Sequence, residues 1–211
     1  MIAFNIDQFE SQIEDDFTWR IKEMSTLVTC AQVAENKDKS AIIRSTIPII
    51  YAHWEGFVKF SAEKYLEYIS TKRMKYRNLK SSFIYLAVDG TCKEIQHSSP
   101  KRKIELIWDI IASVDKTNKD RHNKKISTKS NLRFDVLEEI CVILSLHHDE
   151  FKQYEHFINS DLCDGRNRVA HGRNFTVDID RLKFIRDKSV EIMRIFKNQT
   201  INSAATNGFT V

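Results

Sequence analysis

Arg166, Asn167 and His171 fall within one six-residue stretch, RNRVAH. On a helix each residue turns by about 100°. Asn167 and His171, four apart, then share a face, and Arg166 and His171, five apart, flank it at about 140°. Val169 and Ala170 are small and apolar and suit packing. The guanidinium keeps its charge at every relevant pH, and its fork matches phosphate oxygens. The imidazole exchanges a proton near neutral pH. This set suits metal-independent cleavage of RNA. One imidazole takes the proton from a ribose 2′-OH as that oxygen attacks the adjacent phosphorus. A protonated group assists the departing 5′-oxygen, and the guanidinium stabilises the extra negative charge of the transition state. DNA lacks the attacking hydroxyl, so the route selects RNA. A single imidazole cannot be base and acid in one concerted step. A two-fold dimer that brings two copies of the helix together supplies two of each group. The spacing equally fits an arginine in a surface ion pair and a histidine capping a helix that closes at Gly172. Both readings stand at this point.

Those side chains need a partner surface for a polyanion. Residues 115–130 hold six Lys or Arg against two Asp, and residues 72–80 hold five basic residues and no acid. Arg121, Lys124, Lys125, Arg168 and Arg173 are the candidates for phosphate contacts. Each tract also reads as a solvated face or loop. His53 and Glu55 flank Trp54, either as satisfied, partly buried polar groups or as lining for an RNA groove. His147, His148, Asp149 and Glu150 read as a solvated helix end. They lack the further ligands of a zinc centre. Cys30, Cys92, Cys141 and Cys163 are scattered, without a CxxC pair, and read as free thiols, mostly buried, in a reducing cytoplasm. GxGxxG, P-loop and GxSxG motifs are absent. No metal and no cofactor is expected.

Helices must position these groups. Phe9, Ile13, Phe17, Ile21, Met24, Leu27, Val28 and Ala31 predict a helix over 5–37, with a capping box at Asn5 and Gln8 and a polar stop at 35–40. Ile43, Ile47, Ile50, Trp54, Val58, Ala62, Tyr65 and Ile69 predict the strongest helix, 41–70, capped by Ser40. Pro48 should kink that helix or mark a late start. Further helices are predicted over 77–88, ended by Asp89-Gly90, and from Pro100, with Ile104, Ile107, Trp108 and Ile111 as the apolar face. The basic stretch 115–130 reads as a mobile loop. Helices follow over 131–146, 149–159, 160–172 and 179–198, the last capped by Asp178. Residues 199–211 read as a polar, frayed tail.

Composition agrees with long helices. The 211 residues are 42% hydrophobic and 29% charged, with five Gly and two Pro, too few for a turn-rich β fold. The net charge of +4 suggests nucleic acid only weakly. No apolar run reaches the roughly 18 residues of a membrane span. The opening residues lack a secretory pattern, so a cytoplasmic protein is expected.

Two blocks resemble one family. IPIIYAHWEGFVKFSAEKYLEYI at 47–69 is similar to the long core helix of MAE-type HEPN-like nucleases of prokaryotic toxin and defence systems. RNRVAHG at 166–172 resembles the HEPN signature of Arg, polar residue, spacer and His. SNLRFDVLEEI at 130–140 is a fainter echo. The resemblance implies an all-α bundle with long antiparallel core helices and extra peripheral helices, over a single domain of residues 1–198. It also implies a homodimer whose protomers share a metal-independent endoribonuclease site. Arg166 and His171 would be the catalytic pair and Asn167 the supporting polar residue. Expected partners are the RNA substrate and an antitoxin or defence-system protein, with no membrane. Toxins of this superfamily often carry a Tyr two residues after the His. Arg173 stands there in this chain, which speaks against control by modification of such a Tyr. A non-catalytic HEPN-like subunit that binds RNA or protein is the alternative. Neutralising Lys124 and Lys125 together is expected to weaken RNA binding and to flatten its dependence on salt. An unchanged salt slope in a filter-binding titration would make 115–130 a mere connection.

Overall fold

The structure, a computed structural model, describes residues 4–119, 126–173 and 175–211, and only the backbone of residues 36 and 37. Arg121, Lys124 and Lys125 lie outside the described residues. The described residues form helices joined by turns, with two isolated β-bridges and no strand. The fold is an all-α bundle.

Helix α1, Ile6–Val33, starts at a reciprocal capping box. The Gln8 amide donates to Asn5 Oδ1 at 2.8 Å, and the Asn5 amide donates to Gln8 Oε1 at 3.3 Å. Helix α2, Asn36–Thr71, begins five residues before the expected start, and Ser40 is not its cap. The polar stretch ENKDKS contains no Gly or Pro. Only Ala34 and Glu35 break the path, and the helix then continues, with Asp38 and Ser40 exposed and Lys39 half-buried. Asp38 lies in the first turn of α2, where a negative charge suits the helix dipole. Pro48 lies inside α2 and marks no late start. An interior proline costs about 3 kcal/mol. The helix tolerates it because Ile43, Ile47, Ile50, Tyr51 and Trp54 around it are all buried.

All eight residues of the expected α2 stripe are buried. Helix α7, Ile179–Ala205, and α1 pack along α2, making a three-helix core. Phe9, Phe17, Phe57, Tyr65, Met193 and Phe196 fill it. Asp178 caps α7 as expected, its Oδ1 accepting from the Arg181 amide at 2.7 Å.

Helix α3, Ser81–Gln96, starts four residues later than expected and runs through Asp89-Gly90. Asp89 supports the continuation by pairing with Lys93 one turn on, at 2.5 Å. Helix α4, Pro100–Ser113, starts at Pro100 as expected, and Ser99 is its cap. Its apolar stripe lies on the surface, and Leu106 is its one fully buried side chain. The 115–130 stretch differs from a free loop at its described ends. The Asn118 amide donates to Met74 O at 2.8 Å, and both Asn118 and Ile126 are buried. Helix α5 is confined to Phe134–Leu144 and closes on Ser145 in the left-handed region, φ 56°. The expected helix over 149–159 is a 3-10 turn, Asp149–Tyr154, followed by a π-helical segment, Phe157–Asp164. That segment passes into helix α6, Gly165–Ala170, so 160–172 is not one α-helix.

The frayed tail expected at 199–211 is also corrected. Helix α7 continues to Ala205, and Phe209 is completely buried against Tyr65 and Tyr68. Tyr65 Oη lies 2.6 Å from Ser203 Oγ, and the Lys80 amide donates to Phe209 O at 2.9 Å. Polar composition misled because one aromatic anchor outweighs many solvated neighbours. None of the described helices is long and apolar enough to cross a membrane. Phe209→Ala is expected to destabilise the protein by about 3–5 kcal/mol. Urea unfolding checks this, and an unchanged midpoint would return the tail to a solvated role.

Candidate active site

Arg166, Asn167 and His171 stand at the end of a continuous helical path. The π-helical segment is anchored by Ile158, Leu162 and Cys163, all buried. A π-helix widens the turn and often sits at functional sites. Here it carries the chain into α6 with Gly165 buried beside Ile47 of α2. The path ends in a Schellman motif. The Gly172 amide donates to Val169 O at 3.0 Å, and the Arg173 amide donates to Arg168 O at 2.9 Å. Gly172 takes φ +66°, the left-handed conformation that this closure requires. His171 is the C-cap residue, with φ −90° and ψ 14°, and its side chain is exposed.

Arg166 is held on three sides. Its guanidinium lies over the Tyr51 ring, 4.4 Å from the centroid. Nη1 donates to Asn167 Oδ1 at 3.0 Å, and Nη2 donates to Ser130 O at 2.8 Å. The stacking contributes about 0.5–2 kcal/mol and fixes the plane of the fork. Asn167 thus orients Arg166. Asn167 also accepts the His171 amide at its backbone oxygen, at 3.0 Å, so the peptide geometry links all three residues.

Tyr51 is the residue that sequence reasoning did not single out. It sits on α2 with 3% exposure, and its hydroxyl accepts the Leu132 amide at 2.7 Å. Burial pushes its pKa up to about 12, although the Leu132 amide and Arg166 pull the other way. Tyr51 is therefore a neutral ring and acceptor. Cys163 donates to Leu132 O at 3.3 Å, and burial likewise pushes its thiol up to about 12. It is a packed thiol, not a nucleophile. Arg133 pairs with Asp164 and ties the 130–133 strap to the start of α6. The signal for Tyr51 lay in the α2 periodicity, where it falls between Ile47 and Trp54 with a hydroxyl that needs a partner.

The other candidates separate. His53 faces α1, not the strap. Its Nε2 lies 3.1 Å from Glu23 Oε2, and its ring meets Trp19 edge-on at 5.3 Å. Burial is the main cause that holds its pKa below the ordinary value. Glu55 lies on the other side, close enough to Tyr51 and Cys163 to act on both electrostatically. His148 pairs with Glu138 at 2.9 Å, and Gln199 brackets the His147 backbone at 3.0 and 2.9 Å. Among the described residues no three His, Cys, Asp or Glu side chains form a metal-sized cluster. Two thiols are buried, Cys141 and Cys163, whereas Cys30 is exposed and Cys92 half-buried. Arg168 and Arg173 are exposed on the site's surface, with the Arg168 guanidinium 5.3 Å from the Phe175 centroid.

The chain is thus a helical bundle whose core helix braces the short helix that carries Arg166, Asn167 and His171. The family profile described as MAE_28990-like HEPN matches residues 9–207, and the chain belongs to that family. Neither the curated proteins nor the solved structures compared with it give a match.

Tyr51→Phe is expected to leave the Leu132 amide unpaired and to lower stability by about 1–3 kcal/mol at neutral pH. The folded chain holds the Tyr51 proton to about 12, above the ordinary 10.0. As pH rises past 10 the unfolded chain loses this proton first, so this contribution to stability is whole below pH 10 and lost through pH 12. Urea midpoints measured across that window should fall less steeply in Tyr51→Phe than in wild type.

Proposed function

We propose that the protein is a metal-independent endoribonuclease acting as a toxin or phage-defence effector. The observation that carries this reading is that one short helix, α6, bears a guanidinium held in place near its start and an exposed imidazole at its C-cap. Membership of the HEPN family supports it. Arg166 would stabilise the charge that builds on the phosphoryl oxygens, and Asn167 would keep the fork in plane. His171 would take the 2′-OH proton, and the His171 of a second copy would protonate the leaving 5′-oxygen. The products are a 2′,3′-cyclic phosphate and a free 5′-hydroxyl, so atoms and protons balance without water or metal in this step. Arg168 and Arg173 would hold flanking phosphates.

A non-catalytic HEPN module is the second reading. It is favoured by one observation, that Arg166 already uses both Nη groups within the chain. Cleavage of an unstructured RNA by purified protein discriminates the two. His171→Ala is expected to slow cleavage by about 100- to 10,000-fold, and a chelator to leave it unchanged. Wild-type protein that binds RNA without cutting it, or cuts equally well after His171→Ala, supports the non-catalytic module or another site. An active sample sedimenting at the 24.8 kDa of one chain would remove the shared site.

A further inference from the structure

Helix α4 presents the largest set of exposed apolar side chains on one element. Ile104, Ile107, Trp108 and Ile111 are 61, 49, 66 and 52% exposed. Their steps of three, one and three residues place all four on one face. The opposite face, with buried Leu106, packs on α3. The stripe is thus a second seam on a helix already seated by its first.

The pattern also says what fits the seam. Steps of three, one and three read the same in both directions. Laid antiparallel on itself about a point between 107 and 108, the helix matches Ile104 with Ile111 and Ile107 with Trp108. Such a match meets the isologous condition, in which residue i contacts j and j contacts i. A parallel copy would instead oppose like residues at every level.

Charge agrees with the antiparallel sense. The first turn of α4 has no acidic residue, its last turn has no basic one, and Lys101, Arg102 and Lys103 cluster at the start. That is the reverse of what the helix dipole favours. Arg102 is engaged by Glu94 and Glu105, whereas Lys101 and Lys103 have no ion pair with a described residue. An antiparallel neighbour would bring its carbonyl-bearing last turn beside these lysines. Area agrees as well. Four side chains about half or more exposed form a patch on the order of 300–600 Å², the size of the largest apolar patch on a typical monomer, which is often functional. Used twice across a two-fold axis, it approaches the roughly 1,000 Å² that a specific interface needs.

We propose that the exposed stripe of α4 docks on the α4 of a second copy of this chain, antiparallel, with the two-fold axis between Ile107 and Trp108. The contact lies on α4, apart from the α6 helix end, and does not rest on the ribonuclease reading. It is an interface in addition to any shared Arg166–His171 site.

Sedimentation equilibrium of the full chain at tens of micromolar is the first test. Wild type is expected above 24.8 kDa, and Ile107→Asp at half the wild-type mass with unchanged helicity. A monomeric wild type, or an Ile107→Asp variant that keeps the wild-type mass, overturns the proposal. Directed disulfides give the register without relying on that variant. In a background of Cys30→Ser and Cys92→Ser, a mixture of Ile104→Cys and Ile111→Cys chains should cross-link under mild oxidation, and neither variant alone should. No cross-link in the mixture, or an Ile104→Cys chain that cross-links to itself as readily, overturns the antiparallel seam. Neither readout uses RNA, so loss of the ribonuclease reading would leave both results intact.

Discussion

The Tyr51 side chain ties together the parts of the molecule on which the candidate site depends. Its ring lies under Arg166, and its hydroxyl takes the amide of Leu132. One buried residue on the core helix thereby fixes both the motif helix and the strap that precedes α5. A buried amide without a partner is costly, so the strap has little freedom to drift. Ser130, at the start of that strap, in turn offers its carbonyl to Arg166. Guanidinium, ring and strap form a closed set of contacts in which each member holds the next.

The contrast between the two members of the candidate pair follows from this. Arg166 is a group with its orientation already determined, which is the condition for electrostatic stabilisation without reorganisation. His171 sits beyond the last helical residue, on a closure that fixes its backbone and leaves its ring in solvent. A ring so placed stands on the same exposed surface as Arg168 and Arg173. The π-helical approach contributes by burying Leu162 and Cys163 while delivering Asp164 to Arg133. A regular α-helix of the same length would advance these residues differently around the axis.

The periphery obeys different rules from the core. Helices α1, α2 and α7 are amphipathic toward each other and leave few large apolar groups exposed. The α3–α4 hairpin is seated by one face of α4 and exposes the other. The segment after α7 shows the opposite case, a polar stretch held down by one aromatic residue, Phe209. In both places average polarity says little, and the location of single large side chains decides.

Residue periodicity by itself determined the core. The eight-residue stripe of α2, the capping box at Asn5 and Gln8, the start of α4 at Pro100 and the cap at Asp178 are local patterns, each read along a single helix. The grouping of Arg166, Asn167 and His171, with Gly172 as the closing residue, was legible for the same reason. Tertiary structure alone decided what is non-local. Tyr51 is 115 positions from Arg166, and no pattern of spacing links them. The division of His53 toward α1 and Glu55 toward Tyr51 depends on which helices lie on either side of α2. The anchoring of Phe209 sets burial against the polarity of its neighbours, and burial wins. The early start of α2 and the passage of α3 through Asp89-Gly90 turn instead on local preferences of about 1 kcal/mol or less, the latter with the Asp89–Lys93 pair in support. Local chemistry sets the candidates, and packing energy, which sums over distant contacts, selects among them.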